Sequence, residues 1–149
     1  MVRINIQKVL VGGMIAGVVL SVIDVFLYGG VLKAPMEVAW QAAGRPAMSD
    51  ALRSIEVPAS IFLDFVAGVF LVWLYAAIRP RFGAGPGTAV RAGLAGWFLA
   101  GLLSTTFMAQ GIMPRNVMII TTLVLLVEYP LAVVIGARFY TEGAAIGAT

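Results

Sequence analysis

Four stretches of this chain, about 9–28, 58–78, 88–109 and 116–140, are long and apolar enough to cross a bilayer as helices. A helix rises about 1.5 Å per residue, so about 20 apolar residues span a hydrocarbon core of about 30 Å. Of the 149 residues, 61% are hydrophobic and only 11% charged, where a soluble domain carries about a quarter charged residues. The expected fold is all-α: a polytopic membrane protein built as one four-transmembrane-helix bundle over 1–149, with an extracytoplasmic loop at 29–57. The basic start followed by an apolar run resembles a signal peptide. No small-residue cleavage site precedes a polar region, so it reads as a retained first span.

Local signals mark the span ends. Val57-Pro58 suits a helix start, and Arg79-Pro80 is expected to close that helix. Thr88, after Pro86-Gly87, is a plausible N-cap, and Gly111 is placed to end the third span. In the loop, 35–44 reads as a short helix stopped by Gly44. Ser49-Asp50 could cap a second one. The loop is either a lid on the outer membrane face or a binding loop for a substrate or partner.

Basic residues set the expected orientation. Arg3, Lys8, Arg79, Arg81, Arg91 and Arg138 fall on one side, and Lys33, Arg45, Arg53 and Arg115 on the other. This places both termini in the cytoplasm. Topology thus accounts for the net charge of +3, and nucleic-acid binding is not implied. Tyr75 and Tyr140 near the inner ends and Tyr28 near the outer end fit interfacial anchors.

The chain has no Cys and no His. That removes disulfides, thiol chemistry, Cys or His metal sites and the usual axial ligand of haem. It also removes the common nucleophile–base pairs. The glycine-rich run 83–87 lacks the preceding strand and the following Gly-Lys-Ser/Thr of a phosphate loop. No catalytic residue and no cofactor are expected.

The chemistry-bearing residues are acids inside the spans. Glu128 lies mid-span, where an ionised acid costs on the order of 3 kcal/mol. Pro130, two residues on, leaves the carbonyl of Leu126 without its usual donor and is a candidate hinge. Asp24 and Asp64 lie about 6 and 9 Å inside the outer ends of their spans, and Glu128 about 18 Å in. Ser104 sits about 9 Å in on the third span. Small residues recur at helical spacing beside the acids: Gly13, Gly17 and Ser21, then Gly96 and Ala100, with Gly68, Ala132 and Gly136 following Asp64 and Glu128. Such faces let helices approach closely in lipid. The acids are therefore expected to face a packed seam, forming a polar funnel that ends at Glu128.

The same spacing reads as two tandem helix-pair repeats. Gly13, Gly17 and Ser21 match Gly96, Ala100 and Ser104, while Asp64 and Gly68 match Glu128 and Ala132. Chance remains an open alternative, because Gly and Ala are abundant. Clustered carboxylates repel, and a proton or a cation relieves them. Ser21, Ser104, Thr105, Thr106, Thr121 and Thr122 could add oxygen ligands, though no metal-ligand spacing is diagnostic. The bland alternative is acids hydrogen-bonded across helices as glue, at about 0.6 kcal/mol per bond.

The segment 71–86, LVWLYAAIRPRFGAGP, followed by Thr88-Ala89, resembles the inner loop of a family of small, uncharacterised bacterial four-span membrane proteins. These share an acid in the second span and one in the fourth near Leu or Tyr and Pro. Ala84 and Gly87 stand where the family pattern has Pro and Lys. The resemblance implies four spans and a bacterial inner membrane, and no activity.

The first functional expectation is a non-enzymatic membrane protein that works by association, as a homo-oligomer or a small subunit of a larger membrane complex. The alternative is a proton- or cation-coupled transporter or channel using Asp24, Asp64 and Glu128. A lipid- or pigment-binding accessory role comes third.

Overall fold

The computed structural model describes residues 3–42, 44–45, 50, 54–111 and 114–143, and among these it is all-helical. The elements are α1 (Ile6–Phe26), which continues into a π-helical segment (Leu27–Val31), then α2 (Lys33–Ala42), α3 (Glu56–Phe82), α4 (Pro86–Ala109) and α5 (Arg115–Ala137). Four of them are long and apolar enough to span a membrane: α1 with its π-helical extension, α3, α4 and α5. The chain is a multi-pass membrane protein.

The helices form a ring in the order α1, α3, α4, α5. The broadest packing joins α1 to α3 and α4 to α5. Helices α3 and α5 touch across the short diagonal, and α1 and α4 stand on the long one. Two helix pairs thus surround an axis between α3 and α5, the layout a tandem repeat of pairs requires.

Small residues fill the interior and large apolar ones face outward. Val22, Phe26, Leu63, Phe98, Leu103 and Val127 are exposed, while Ala16, Ala92 and Ala132 are fully buried. Lipid replaces water outside, so close van der Waals contact rather than burial of large side chains holds the bundle. A Cβ on Gly68 would lie 2.5 Å from Gly13 O and Gly17 N. One on Gly136 would lie 2.5 Å from Gly12 O. Gly93 lies against the backbone of Pro130. The residue-by-residue repeat does not carry over into the second pair. Gly96 packs on the Leu71 side chain and Tyr129, so Gly93 makes the backbone crossing there.

Several boundaries differ from the sequence expectation. Helix α3 runs through Pro80 to Phe82 instead of stopping at Arg79-Pro80. A proline in the last turn disturbs little further helix, and membrane helices tolerate it. Thr88 is not the N-cap of α4: Gly85 is, and Thr88 lies within the first turn. Its hydroxyl donates to Phe82 O at 3.2 Å and Gly83 O at 2.8 Å, closing the exposed carbonyls of α3. Positive φ at Gly83 (84°) and Gly85 (128°) makes this short turn possible. Gly44 and Gly111 follow their helices as expected. The second short helix expected at Ser49-Asp50 lies largely outside the described residues.

The two ends of the bundle are built differently. At the basic end Arg79 pairs with Glu142 at 3.5 Å and lies 5.5 Å over the Tyr140 ring. Tyr75 and Tyr140 meet edge to face with centroids 6.0 Å apart. Both are buried, so they are packing residues rather than interfacial anchors. At the other end Leu27, Leu32, Met36 and Val117 form a buried apolar plug. Helix α2 contributes Met36 to it and so caps the α1–α5 seam.

Candidate functional site

Helix α1 presents Ser21 and Asp24 three residues apart on one face, and its π-helical extension adds Tyr28 one turn on. Helix α3 brings Asp64 to that face, and α5 brings Thr121 and Glu128 seven residues apart, two turns of the same stripe. The glycine crossing of Gly13 and Gly17 with Gly68 sets the α1–α3 register that aligns Ser21 with Asp64.

Ser21 Oγ donates to Asp64 Oδ2 at 2.9 Å. Asp24, three residues on from Ser21, lies on the same face of α1, toward Asp64. Glu128 is 2% exposed, and its Oε2 has no hydrogen-bond partner among the described residues. One turn or more toward the plug, the hydroxyls of Tyr28 and Thr121 meet at 3.3 Å.

The structure therefore sets the Ser21 and Asp24 face of α1 toward Asp64 of α3, with Glu128 on α5, the helix that meets the same end of α1 through Tyr28 and Thr121. Among the described residues no three acidic groups stand close enough to hold one metal ion. Among the described residues no basic side chain pairs with them either. The ion pairs among the described residues, Arg45–Glu56 at 3.4 Å and Arg79–Glu142, lie at the ends of the bundle. A buried carboxyl oxygen with no donor is unfavourable as an anion. Proton or monovalent-cation binding is the chemistry this arrangement can perform.

Ser104 does not join the acids. It lines a separate groove of about 180 Å³ between α4 and α5, with Thr105 and Thr122. The reason is ring order, since α4 stands diagonally across from α1. Thr105, Thr106 and Thr122 donate to carbonyls of their own helices, from Gly101, Leu102 and Met118. Thr105 and Thr106 are exposed on the outer face of α4. Ser21, expected as a packing residue, is a hydrogen-bond donor to the site. Gly13, Gly17, Gly68, Gly96, Ala132 and Gly136 are buried, and Ala100 is half-buried.

Pro130 lies within the unbroken α5, with Gly93 against its backbone. It is a contact point of a tight crossing. The mouth expected above Glu128 is filled on the α1–α5 side by the apolar plug and the Tyr28–Thr121 contact. Asp24 and Asp64 remain half-buried.

Sequence reasoning placed Tyr28 at the interface. Its spacing of four from Asp24 was the available sign that it belongs to the acid face. Thr121 carried the same sign relative to Glu128. No family model matches the chain, no curated protein matches it, and no solved structure matches it.

Proposed function

We propose that this is a membrane protein that binds and passes protons at the Asp24–Asp64–Glu128 cluster, as the coupling site of a small proton-coupled transporter. The observation that carries the reading is the buried Glu128 Oε2, without a partner among the described residues, in a bundle whose spanning helices also carry Asp24 and Asp64. Intramembrane ionisable residues are expensive and mark ion or proton paths. Asp24 and Asp64 share a proton, Ser21 orients Asp64, and Glu128 is the deepest acceptor.

Association with a second copy or a larger membrane complex was the first expectation from sequence. Its support there was small size, minimal mass outside the membrane and the set of small-residue faces. Gly13, Gly17, Gly68, Gly96 and Gly136 are used within the chain, so those faces no longer argue for a partner. The cluster of Arg3, Lys8, Arg79, Arg81, Arg91 and Arg138 supports placing both termini on the cytoplasmic face of a bacterial inner membrane. Membership of the small four-span family is part of the same proposal and rests on the loop at 71–89.

The test is reconstitution of the full chain into proteoliposomes carrying a trapped pH dye, under an imposed pH gradient. Wild-type vesicles are expected to lose the gradient faster than empty ones. Asp64→Asn and Glu128→Gln are expected to abolish the difference while keeping the helical circular-dichroism signal. Wild-type vesicles that hold the gradient as well as empty ones would overturn the proposal. So would a Glu128→Gln variant as active as wild type.

A further inference from the structure

An apolar groove of about 370 Å³ runs along the α1–α5 seam on the outer, lipid-facing side of the bundle. Ile23 of α1 and Val124, Val127 and Leu131 of α5 line it, together with Glu128. The volume falls within the range of about 300–1,000 Å³ typical of small-molecule sites. We propose that this groove binds a lipophilic organic cation, with Glu128 as its counter-ion. The proposal rests on the proton reading and names the substrate class of the same site: cation and proton would take turns at one carboxyl group.

Chemistry narrows the occupant in steps. Glu128 is the groove's polar element, 2% exposed, and its Oε2 has no partner among the described residues. A neutral lipophile would leave that oxygen as it is. An anion would enter a bundle whose spans carry three acids, Asp24, Asp64 and Glu128, with no basic side chain paired to them among the described residues. An inorganic divalent cation needs several oxygen ligands. The walls are Ile, Val and Leu and supply none. A primary ammonium brings three donors, and an apolar wall leaves most of them unpaired at a cost. A quaternary or delocalised cation has no N–H to satisfy. It matches one carboxylate with apolar walls, and the open side of the groove admits it from the bilayer.

The probe is tetraphenylphosphonium, and the control is tetraphenylborate, which has nearly the same shape and the opposite charge. Equilibrium dialysis on the full chain in detergent needs no gradient and reads binding alone. One tetraphenylphosphonium per chain is expected, with tetraphenylborate at least about tenfold weaker. Glu128→Gln is expected to weaken tetraphenylphosphonium about tenfold or more. Val127→Trp fills the groove from its exposed rim and is expected to weaken binding similarly.

Equal binding of the two ions overturns the proposal, as does wild-type affinity in Glu128→Gln. If Glu128→Gln fails to fold, Val127→Trp decides: unchanged affinity overturns the proposal and lost affinity supports it. A co-purified lipid that tetraphenylphosphonium does not displace marks an acyl chain as the occupant, which also overturns it. Proton movement without tetraphenylphosphonium binding defeats this inference and leaves the proton reading standing. Binding without proton movement does the reverse.

Discussion

The hydroxyls of Tyr28 and Thr121 meet at 3.3 Å, joining the π-helical end of α1 to α5 at a level between the apolar plug and Glu128. Thr121 is 6% exposed and Tyr28 half-buried, so the contact pairs two hydroxyls largely withdrawn from solvent. The contact fixes how the end of α1 lies against α5, and with it the cover over the acid cluster.

Tyr28→Phe and Thr121→Val are each expected to lower stability by about 0.5–1.5 kcal/mol, the net worth of one hydrogen bond. The double variant should cost about as much as either single one, because the same bond is lost. Thermal unfolding in detergent reads the cycle. Additive losses would show that the two hydroxyls act independently.

Gly68 gives the sharpest packing prediction. Its Cβ would meet backbone atoms of Gly13 and Gly17 at 2.5 Å, and backbone cannot swing aside. Gly68→Ala is therefore expected to separate α1 from α3 and cost at least about 1–3 kcal/mol. Gly87→Ala is the control, since nothing lies within 4 Å of a Cβ there and the residue is in the first turn of α4. It should be neutral or stabilise by about 0.5–1 kcal/mol. Comparable losses in both would remove the crossing argument.

Ser21 separates positioning from proton binding. Its hydroxyl donates to Asp64 Oδ2 at 2.9 Å but carries no exchangeable charge. Ser21→Ala is expected to slow gradient dissipation several-fold, an effect on the order of 1 kcal/mol. Asp64→Asn should abolish it. Ser21→Thr, which keeps the hydroxyl, is expected to recover most of the rate. Loss of activity equal to that of Asp64→Asn would make Ser21 a structural requirement instead.

The spans and the acid seam were legible because both rest on local rules. Length and hydropathy mark a membrane helix, and spacing of three or four residues marks a face. That is why Asp24, Asp64 and Glu128 could be assigned to packed faces from sequence. Ser104 failed for a different reason. Its depth and spacing were right, but ring order decides which helices share a seam, and ring order is a property of the whole bundle. Gly12 and Gly93 were missed likewise. Each sits beside a glycine or alanine stripe already in view, and only the crossing partner, Gly136 or Pro130, reveals its role. Tyr75 and Tyr140 read as interfacial anchors because position along a span says nothing of the neighbour that buries them. Here that neighbour is each other.

Arg79 and Glu142 supply the last prediction, on the segment that follows α5. Arg79 sits in the last turn of α3 and pairs with Glu142 at 3.5 Å. The same guanidinium lies over the Tyr140 ring, and Gly143 N donates to Arg3 O at 3.3 Å. These contacts clip residues 140–143 across the basic end, where the chain has left the helix. Both side chains are partly exposed, so the ion pair alone contributes little. The ring contact needs the flat guanidinium, which an ammonium does not reproduce. Arg79→Lys should therefore loosen the segment nearly as much as Arg79→Ala, while Glu142→Gln loosens it less. Hydrogen exchange at Tyr140 and Gly143 reads this directly. Faster exchange in Arg79→Lys with slow exchange kept in α5 is the expected pattern. An unchanged rate in Arg79→Lys would mean that charge alone holds the clip, and Glu142→Gln should then release it fully.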